Sequence, residues 1–132
     1  MPTTVLLIDD DPVFQEKAKQ VLERNGFTVV LASSWVDFTK AYYGAPSKPD
    51  VILFDVDLGS ALSGDKLLAA FSRGRESLPS AQGTKLVLFS GLPQQELETR
   101  ARQCGADGVI RKDSLTAKSG LSFLSQLRAI LR

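Results

Sequence analysis

The sequence contains no histidine, and it has a single cysteine, Cys104, among its 132 residues. The lack of histidine excludes imidazole general bases, histidine metal ligands and any phosphohistidine carried by the chain itself. A lone cysteine excludes an internal disulfide and is typical of a reducing compartment.

Long apolar runs and a strong excess of one charge are also missing. No apolar stretch approaches the ~20 residues of a membrane span, and the first residues show no signal-peptide pattern, so we expect a cytoplasmic protein. The formal net charge of +1 indicates neither a basic surface for nucleic acid nor an acidic tail. The length and the 43% hydrophobic content fit one ordinary globular domain, which we place at residues 1–132.

Strand-like and helix-like segments alternate along the chain. Short apolar runs rich in branched side chains predict strands buried on both faces, as in parallel sheets. The predicted strands are Val5–Ile8, Phe27–Leu31, Val51–Phe54, Lys85–Phe89 and Gly108–Arg111, and the last helix is predicted from about Ser114 to Leu131. The alternation predicts an α/β fold, a doubly wound five-stranded parallel sheet. Fold analogy gives the flavodoxin-like (βα)5 strand order 2-1-3-4-5.

Polar side chains follow these runs at the point where each predicted strand ends. Asp9 and Asp10 follow the first strand, Asp55 the third, Ser90 the fourth and Lys112 the fifth. Ligands bind beyond the carboxyl edge of open α/β sheets, so we expect these residues to converge there. Several acids brought together repel one another, and a hard divalent cation such as Mg²⁺ relieves the repulsion. Acids, metal, hydroxyl and ammonium together describe a phosphoryl-transfer site.

Acids at such an edge can also be purely structural. An aspartate after a strand is often only a turn former or a helix cap. Asp11 precedes Pro12, and we interpret it as the N-cap of the first helix. Asp9 and Asp10 are adjacent acids that would be costly without a cation, and this favours a functional role for both.

The pattern resembles the receiver domain of bacterial two-component response regulators, including the single-domain chemotaxis regulators. The resemblance runs from about Thr4 to Arg132. Its markers are Leu7-Ile8-Asp9-Asp10-Asp11-Pro12, Pro49-Asp50-Val51-Ile52-Leu53-Phe54-Asp55, Ser63-Gly64, Phe89-Ser90-Gly91, Gly105-Ala106-Asp107 and Lys112. Each marker is weak alone, and their order along the chain makes the resemblance specific.

The resemblance implies a role for each acid of the edge. Asp55 is expected to be the phosphoacceptor, whose carboxylate oxygen attacks the phosphorus of a phosphohistidine donor. Mg²⁺ is expected to be bound directly by Asp10 and Asp55, through water by Asp9, and by the backbone carbonyl of Asp57. Such a metal neutralises charge on the transferring group and holds it in line with the nucleophile.

The resemblance also implies how the signal is made and received. Lys112 is expected to pair with one phosphoryl oxygen, and Ser90 to hydrogen-bond another. The donor is a sensor histidine kinase or phosphotransfer protein. The receiver of the signal is a downstream protein or output domain at the fourth helix, fifth strand and fifth helix, with no direct contact to nucleic acid or membrane. Candidate contacts on that output surface are Glu96, Arg100, Arg111 and Arg128.

The chain departs from the family pattern on both sides of the lysine. Family members usually have a proline after it, and here Asp113 follows Lys112. An aromatic residue commonly stands three positions before it, and here that residue is Val109. Because a branched aliphatic side chain has no aromatic swing, we expect the signal to pass mainly through Ser90 and the loop after it. Asp113 or Ser114 could cap the last helix.

Two other functions remain open at this point. Asp55-Val56-Asp57 also resembles the Asp-x-Asp signature of haloacid dehalogenase-type phosphohydrolases, in which Ser90 and Lys112 would bind phosphate. Those enzymes place the signature on their first strand, whereas here other acids precede it. A degenerate receiver, acting as a phosphorylation-independent interaction module, is the other alternative. We expect a switch that accepts one phosphoryl group and releases it slowly, without metabolic turnover.

Overall fold

The computed structural model describes residues 3–44, 48–57, 63–75, 83–116 and 120–132. Strands and helices alternate along these ranges. The strands are β1 (Thr4–Ile8), β2 (Thr28–Ala32), β3 (Val51–Asp55), β4 (Lys85–Ser90) and β5 (Gly108–Arg111). The α-helices are α1 (Pro12–Arg24), α2 (Trp35–Gly44), α3 (Gly64–Arg75), α4 (Gln94–Cys104) and α5 (Leu121–Leu131). No helix in these ranges is long and apolar enough to cross a membrane.

The five strands run parallel in one sheet with the order β2-β1-β3-β4-β5. This confirms the predicted fold class and strand order. β1 and β3 are neighbours, and Ile8 stands opposite Phe54, so the residues that follow both strands leave the sheet side by side. β4 and β5 end level with each other because Ser90 is paired with Arg111. The carboxyl ends of β1, β3, β4 and β5 therefore meet along one edge.

The strands are apolar on both faces because helices cover both sides of the sheet. One face packs with α2, α3 and α4 and buries alternate residues such as Leu6, Ile52 and Leu88. The other face packs with α1 and α5 and buries Leu7 and Leu53. Each fully buried aliphatic side chain contributes about 1.5–3 kcal/mol to folding. The sheet is thus a rigid platform for the side chains at its carboxyl edge.

The last helix differs from the sequence-based prediction. It was predicted from about Ser114, but Lys112–Leu115 form a short 3-10 helix and α5 begins at Leu121. Gly120 precedes α5 with a φ of 84°, in the left-handed region that a right-handed helix cannot contain. Gly120 is also the N-cap residue of α5, so the predicted capping by Asp113 or Ser114 is wrong.

Candidate functional site

A cluster of carboxylates lies where β1 and β3 end. One carboxylate oxygen from each of Asp9, Asp10 and Asp55 lies within 4.8 Å of the others. Asp9 and Asp55 are buried, with 0% and 3% of their surfaces exposed, whereas Asp10 faces solvent. Carboxylates this close repel one another strongly when they are shielded from water. Their oxygen atoms are the ligands that a hard divalent cation such as Mg²⁺ prefers, so the donor set fits this ion.

Lys112 follows β5 and reaches both buried acids. Its Nζ lies 2.8 Å from Asp9 Oδ2 and 3.2 Å from Asp55 Oδ2. The ammonium also lies 4.6 Å from the centroid of the Phe14 ring, in cation–π distance. Burial alone would lower the pKa of the Lys112 ammonium, but the hydrogen bond to Asp9 and the charge of Asp55 raise it above its ordinary value. Lys112 is therefore a fixed positive charge between the two acids.

The Asp55 carboxyl group is held in one orientation and is easily protonated. Its Oδ2 faces Lys112, and its Oδ1 accepts the backbone N–H of Asp57 at 3.3 Å. The pKa of this carboxyl is raised from 3.8 to about 7, mainly by burial and further by the charge of Asp9, while the charge of Lys112 opposes the rise. Positive charge placed near such a group lowers its pKa and favours the ionised, nucleophilic form.

Gly64, the first residue of α3, packs directly against the backbone of Asp55. A Cβ atom at this position would overlap the carbonyl oxygen of Asp55. The Gly64 N–H donates to the carbonyl of Val56 at 2.9 Å, which joins the start of α3 to the end of β3. The Ser63-Gly64 marker thus has a steric reason, because only glycine allows this approach.

The side chain of Gln15 binds the backbone where β1 ends, and this residue was not identified from the sequence. Its buried side-chain amide donates to the carbonyls of Asp9 at 2.7 Å and Ala32 at 3.0 Å. Asp9 Oδ1 accepts the N–H of Asp11 at 2.9 Å, which leaves Oδ2 for the lysine ammonium. The sequence offered one hint of this role: Gln15 is a polar residue next to Phe14, on the side of α1 that faces the sheet.

The other two acids of this edge have exposed or half-exposed side chains. Asp11 accepts the N–H of Val13 at 2.9 Å, and Pro12 is the first residue of α1, so the predicted capping role of Asp11 is confirmed. The side chain of Asp57 is exposed and faces the same cavity as Asp55. Its backbone carbonyl as a metal ligand stays a prediction.

Ser90 ends β4 and connects the site to β5 through hydrogen bonds. Its buried Oγ accepts the N–H of Leu92 at 3.2 Å. The carbonyl of Leu92 accepts Nε–H of Arg111 at 3.0 Å, and the Arg111 guanidinium pairs with Asp113 at 3.2 Å. These contacts form a hydrogen-bonded connection from Ser90 through Leu92 to Arg111 on β5 that does not involve Val109.

These side chains line a cavity of about 530 Å³ at the carboxyl edge of the sheet. Its described polar lining consists of Asp10, Asp11, Asp55, Asp57, Ser63, Ser90, Arg100 and Lys112. Arg100, a candidate contact of the output surface, also faces this cavity and pairs with Asp65 on α3. Arg128, another candidate contact of that surface, lies 6.0 Å from the centroid of the Phe27 ring, and its role in output stays a prediction.

The site residues predicted from the sequence thus lie at one edge, in or beside one cavity. A buried carboxylate, further acids for a divalent cation, a hydroxyl and two cations are suited to phosphoryl transfer. In that reaction a positioned nucleophile attacks phosphorus in line, while positive charge stabilises the phosphoryl oxygens.

The model of the response regulator receiver domain family matches residues 5–121, and the chain belongs to this family. Receiver domains of this family are signalling switches of two-component systems rather than metabolic enzymes. They bind a divalent metal at an acidic site, and they pair with histidine kinases or phosphotransfer proteins and with output domains. The resemblance stated from the sequence is therefore confirmed, and the haloacid dehalogenase alternative loses its support.

Solved structures of receiver proteins share the fold at low sequence identity. A CheY-like receiver domain protein from Methanospirillum hungatei is 23% identical, with 99% of this chain and 94% of that chain covered and a TM-score of 0.74. Chemotaxis protein CheY4 of Vibrio cholerae is 19% identical, with 98% and 99% covered and a TM-score of 0.79. A Burkholderia pseudomallei response regulator, solved with a phosphorylated aspartic acid, calcium ion and citrate, is 26% identical, with 98% and 68% covered and a TM-score of 0.73. No curated protein matches the chain.

Proposed function

We propose that this chain, over residues 1–132, is a receiver domain switched by phosphorylation of Asp55. The observation that carries the proposal is the position of Lys112, which contacts both Asp9 and Asp55 inside the acid cluster. A capping or turn-forming aspartate is satisfied by backbone N–H groups and needs neither a buried cation nor two further acids. A phosphoacceptor needs both, because charge on the phosphoryl group must be offset.

Asp55 acts as the nucleophile in this proposal. Its carboxylate oxygen attacks the phosphorus of a phosphohistidine, the phosphorus–nitrogen bond breaks, and the imidazole leaves with the donor protein. The donor is a sensor histidine kinase or a phosphotransfer protein. Lys112 and Asp57, which contact the two oxygens of Asp55, hold the carboxyl group in place for the attack.

Asp10 and Asp55 would hold Mg²⁺ directly, Asp9 would hold it through water, and the backbone carbonyl of Asp57 would complete the set. When bound, the metal supplies positive charge that offsets repulsion between the phosphoryl group and the acids. The Burkholderia pseudomallei response regulator with a phosphorylated aspartic acid and a calcium ion supports both a carboxyl acceptor and a divalent cation.

The phosphorylated state is read through Ser90. Its hydroxyl turns to donate to a phosphoryl oxygen, and this weakens its present contact with the N–H of Leu92. Leu92 then shifts Arg111, which lines a polar groove beside α4 and α5 together with Gln94 and Gln126. We propose this α4–β5–α5 surface as the contact for a downstream protein or output domain, with no direct nucleic acid or membrane contact. A cytoplasmic location remains part of the proposal.

Labelling with acetyl phosphate tests the proposed function. Intact-mass spectrometry should show one added phosphoryl group on the wild-type chain with Mg²⁺, and none without Mg²⁺ or in Asp55→Asn. Asp50→Asn is the matched control, because Asp50 binds the N–H of Thr4 at the opposite edge of the sheet. A folded wild type that takes no label would favour the phosphorylation-independent module. Repeated turnover of a small phosphate ester would favour a phosphohydrolase.

A further inference from the structure

Arg100 brings a second positive charge to the phosphorylation pocket. It belongs to α4, and its side chain lines the same cavity as Asp55, Ser90 and Lys112. The side chain is 34% exposed, so it is partly shielded from water while its guanidinium can still move. Of the described lining residues, Arg100 and Lys112 are the cationic ones.

The present partners of Arg100 hold it loosely. Its Nη1 lies 3.4 Å from Asp65 Oδ2 on α3, and its Nη2 lies 3.3 Å from Glu96 Oε1 one turn earlier on α4. Charge-assisted hydrogen bonds are usually about 2.7–2.9 Å long, so both contacts are weak. Asp65 Oδ1 is buried and has no hydrogen-bond partner within the described ranges. Neither the arginine nor Asp65 is fully satisfied by this arrangement.

Phosphorylation would change the charge balance of the cavity. A phosphoryl group carries about 1.5–2 negative charges near neutral pH and offers several strong acceptor oxygens. Lys112 already faces both Asp9 and Asp55, and the proposed Mg²⁺ would be shared by the carboxylates of the cluster, so a further cation would help to offset the added charge. A guanidinium binds phosphoryl oxygens through two parallel hydrogen bonds, which a carboxylate at 3.4 Å does not match.

We propose that Arg100 is an anion-binding residue of this pocket, which leaves Asp65 and pairs with the phosphoryl group on Asp55. The inference rests on the proposed function of Asp55 and extends it to α4. Asp65 lies in the first turn of α3, so the exchange breaks the Arg100–Asp65 contact between α3 and α4. It replaces this contact with one between α4 and the phosphoryl group in the pocket.

Two substitutions with opposite expected effects test this exchange. The probe is beryllium fluoride with Mg²⁺, an unreactive mimic of the phosphoryl group, and its affinity is measured by calorimetry. Arg100→Gln should weaken binding about tenfold, the value of one charge-assisted hydrogen bond. Asp65→Asn should tighten binding about threefold, because the competing carboxylate is removed and one side of an exposed ion pair is worth this much. Arg102→Gln, an exposed arginine on the same helix, is the control and should change nothing.

The opposite directions of these two changes in affinity distinguish an exchange of partners from a purely structural salt bridge. Opposite changes, with the Asp65→Asn effect lost in an Arg100→Gln background, would support the exchange. Loss of affinity in both variants, or no change in either, would overturn it. Arg100→Lys should restore part of the affinity, and thermal unfolding without ligand verifies the fold of each variant. Should Arg100→Gln not fold, Asp65→Asn alone decides, because only tighter binding agrees with the exchange.

The same samples distinguish this inference from the proposed function. A wild-type chain that is labelled by acetyl phosphate while both variants bind beryllium fluoride like wild type would overturn the role of Arg100 alone. A wild-type chain that takes no label and binds no beryllium fluoride would overturn the proposed function, and the role of Arg100 with it.

Discussion

The two edges of the sheet use the same residue type in different ways. At the edge where strands begin, Asp50 accepts the N–H of Thr4 and Asp107 accepts the N–H of Leu86, each at 2.8 Å. Both side chains are exposed. At the edge where strands end, Asp9 and Asp55 are buried and share the ammonium of Lys112.

The direction of the strands explains this difference. The starts of parallel strands present backbone N–H groups, which satisfy a carboxylate, whereas their ends present carbonyl oxygens, which do not. An acid at a strand end must therefore find another donor, such as the N–H that Asp11 gives to Asp9, or a cation. Several acids gathered at strand ends are evidence of a site for positive charge, whereas the same acids at strand starts are structural.

The largest effect on stability is expected when Lys112, the cation that contacts both buried acids at the carboxyl edge, is replaced. Lys112→Met leaves Asp9 and Asp55 buried without their common partner, and breaking such a buried pair costs about 3 kcal/mol. We expect this loss in the free energy of urea unfolding at pH ~8 without Mg²⁺. Lys85→Met, at the edge where strands begin, is the control and should cost less than about 1 kcal/mol. Equal losses in the two variants would contradict the contrast between the edges.

A smaller effect of opposite sign is expected at Asp55. Its pKa is raised from 3.8 to about 7 in the folded chain, mainly by burial. Stability linked to the bound proton is therefore present below about pH 4 and is lost as the pH rises to about 7. Asp55→Asn has no such loss and should be more stable than wild type by about 2 kcal/mol at pH ~8 without Mg²⁺.

Thermal unfolding at two pH values measures this effect. The stability difference between Asp55→Asn and wild type should shrink towards zero near pH ~3, below the ordinary pKa of 3.8, where Asp55 is protonated in both the folded and the unfolded chain. Added Mg²⁺ should also reduce the difference at high pH, because it stabilises the charged cluster of the wild type. An Asn variant that is less stable than wild type at high pH would show that Asp55 is a stabilising carboxylate.

The smallest effect is expected at the edge where strands begin. Asp107→Ala leaves the N–H of Leu86 without this carboxylate acceptor, and it should cost about 1 kcal/mol in urea unfolding. Labelling by acetyl phosphate should be unchanged in rate and amount, because Asp107 lies at the far edge of the sheet. Loss of labelling in a folded Asp107→Ala chain would mean that the two edges are not independent.

Much of the fold and of the acid cluster could be predicted because both depend on strand direction. Apolar runs buried on both faces indicate a parallel sheet, and the residues after such runs must meet at one edge. Asp9, Asp55 and Lys112 were placed in this way.

Other features depend on tertiary contacts that a linear pattern does not contain. Arg100 is a long, partly exposed side chain, and its direction is decided by Asp65 on another helix. Glycine is compatible with many backbone conformations, so the sequence could not reveal that Gly120 is left-handed and that α5 begins only at Leu121. Gln15 is polar, and only the carbonyls of two neighbouring strand ends explain its burial.

The most direct measurement locates the acyl phosphate within the acid cluster. After treatment with acetyl phosphate and Mg²⁺, borohydride reduces an aspartyl phosphate to homoserine, and peptide mass spectrometry identifies the position. We predict homoserine in place of Asp55 and unchanged aspartate at the other positions of the cluster. Homoserine in place of Asp9, Asp10 or Asp57, or no homoserine from a folded chain, would contradict the account.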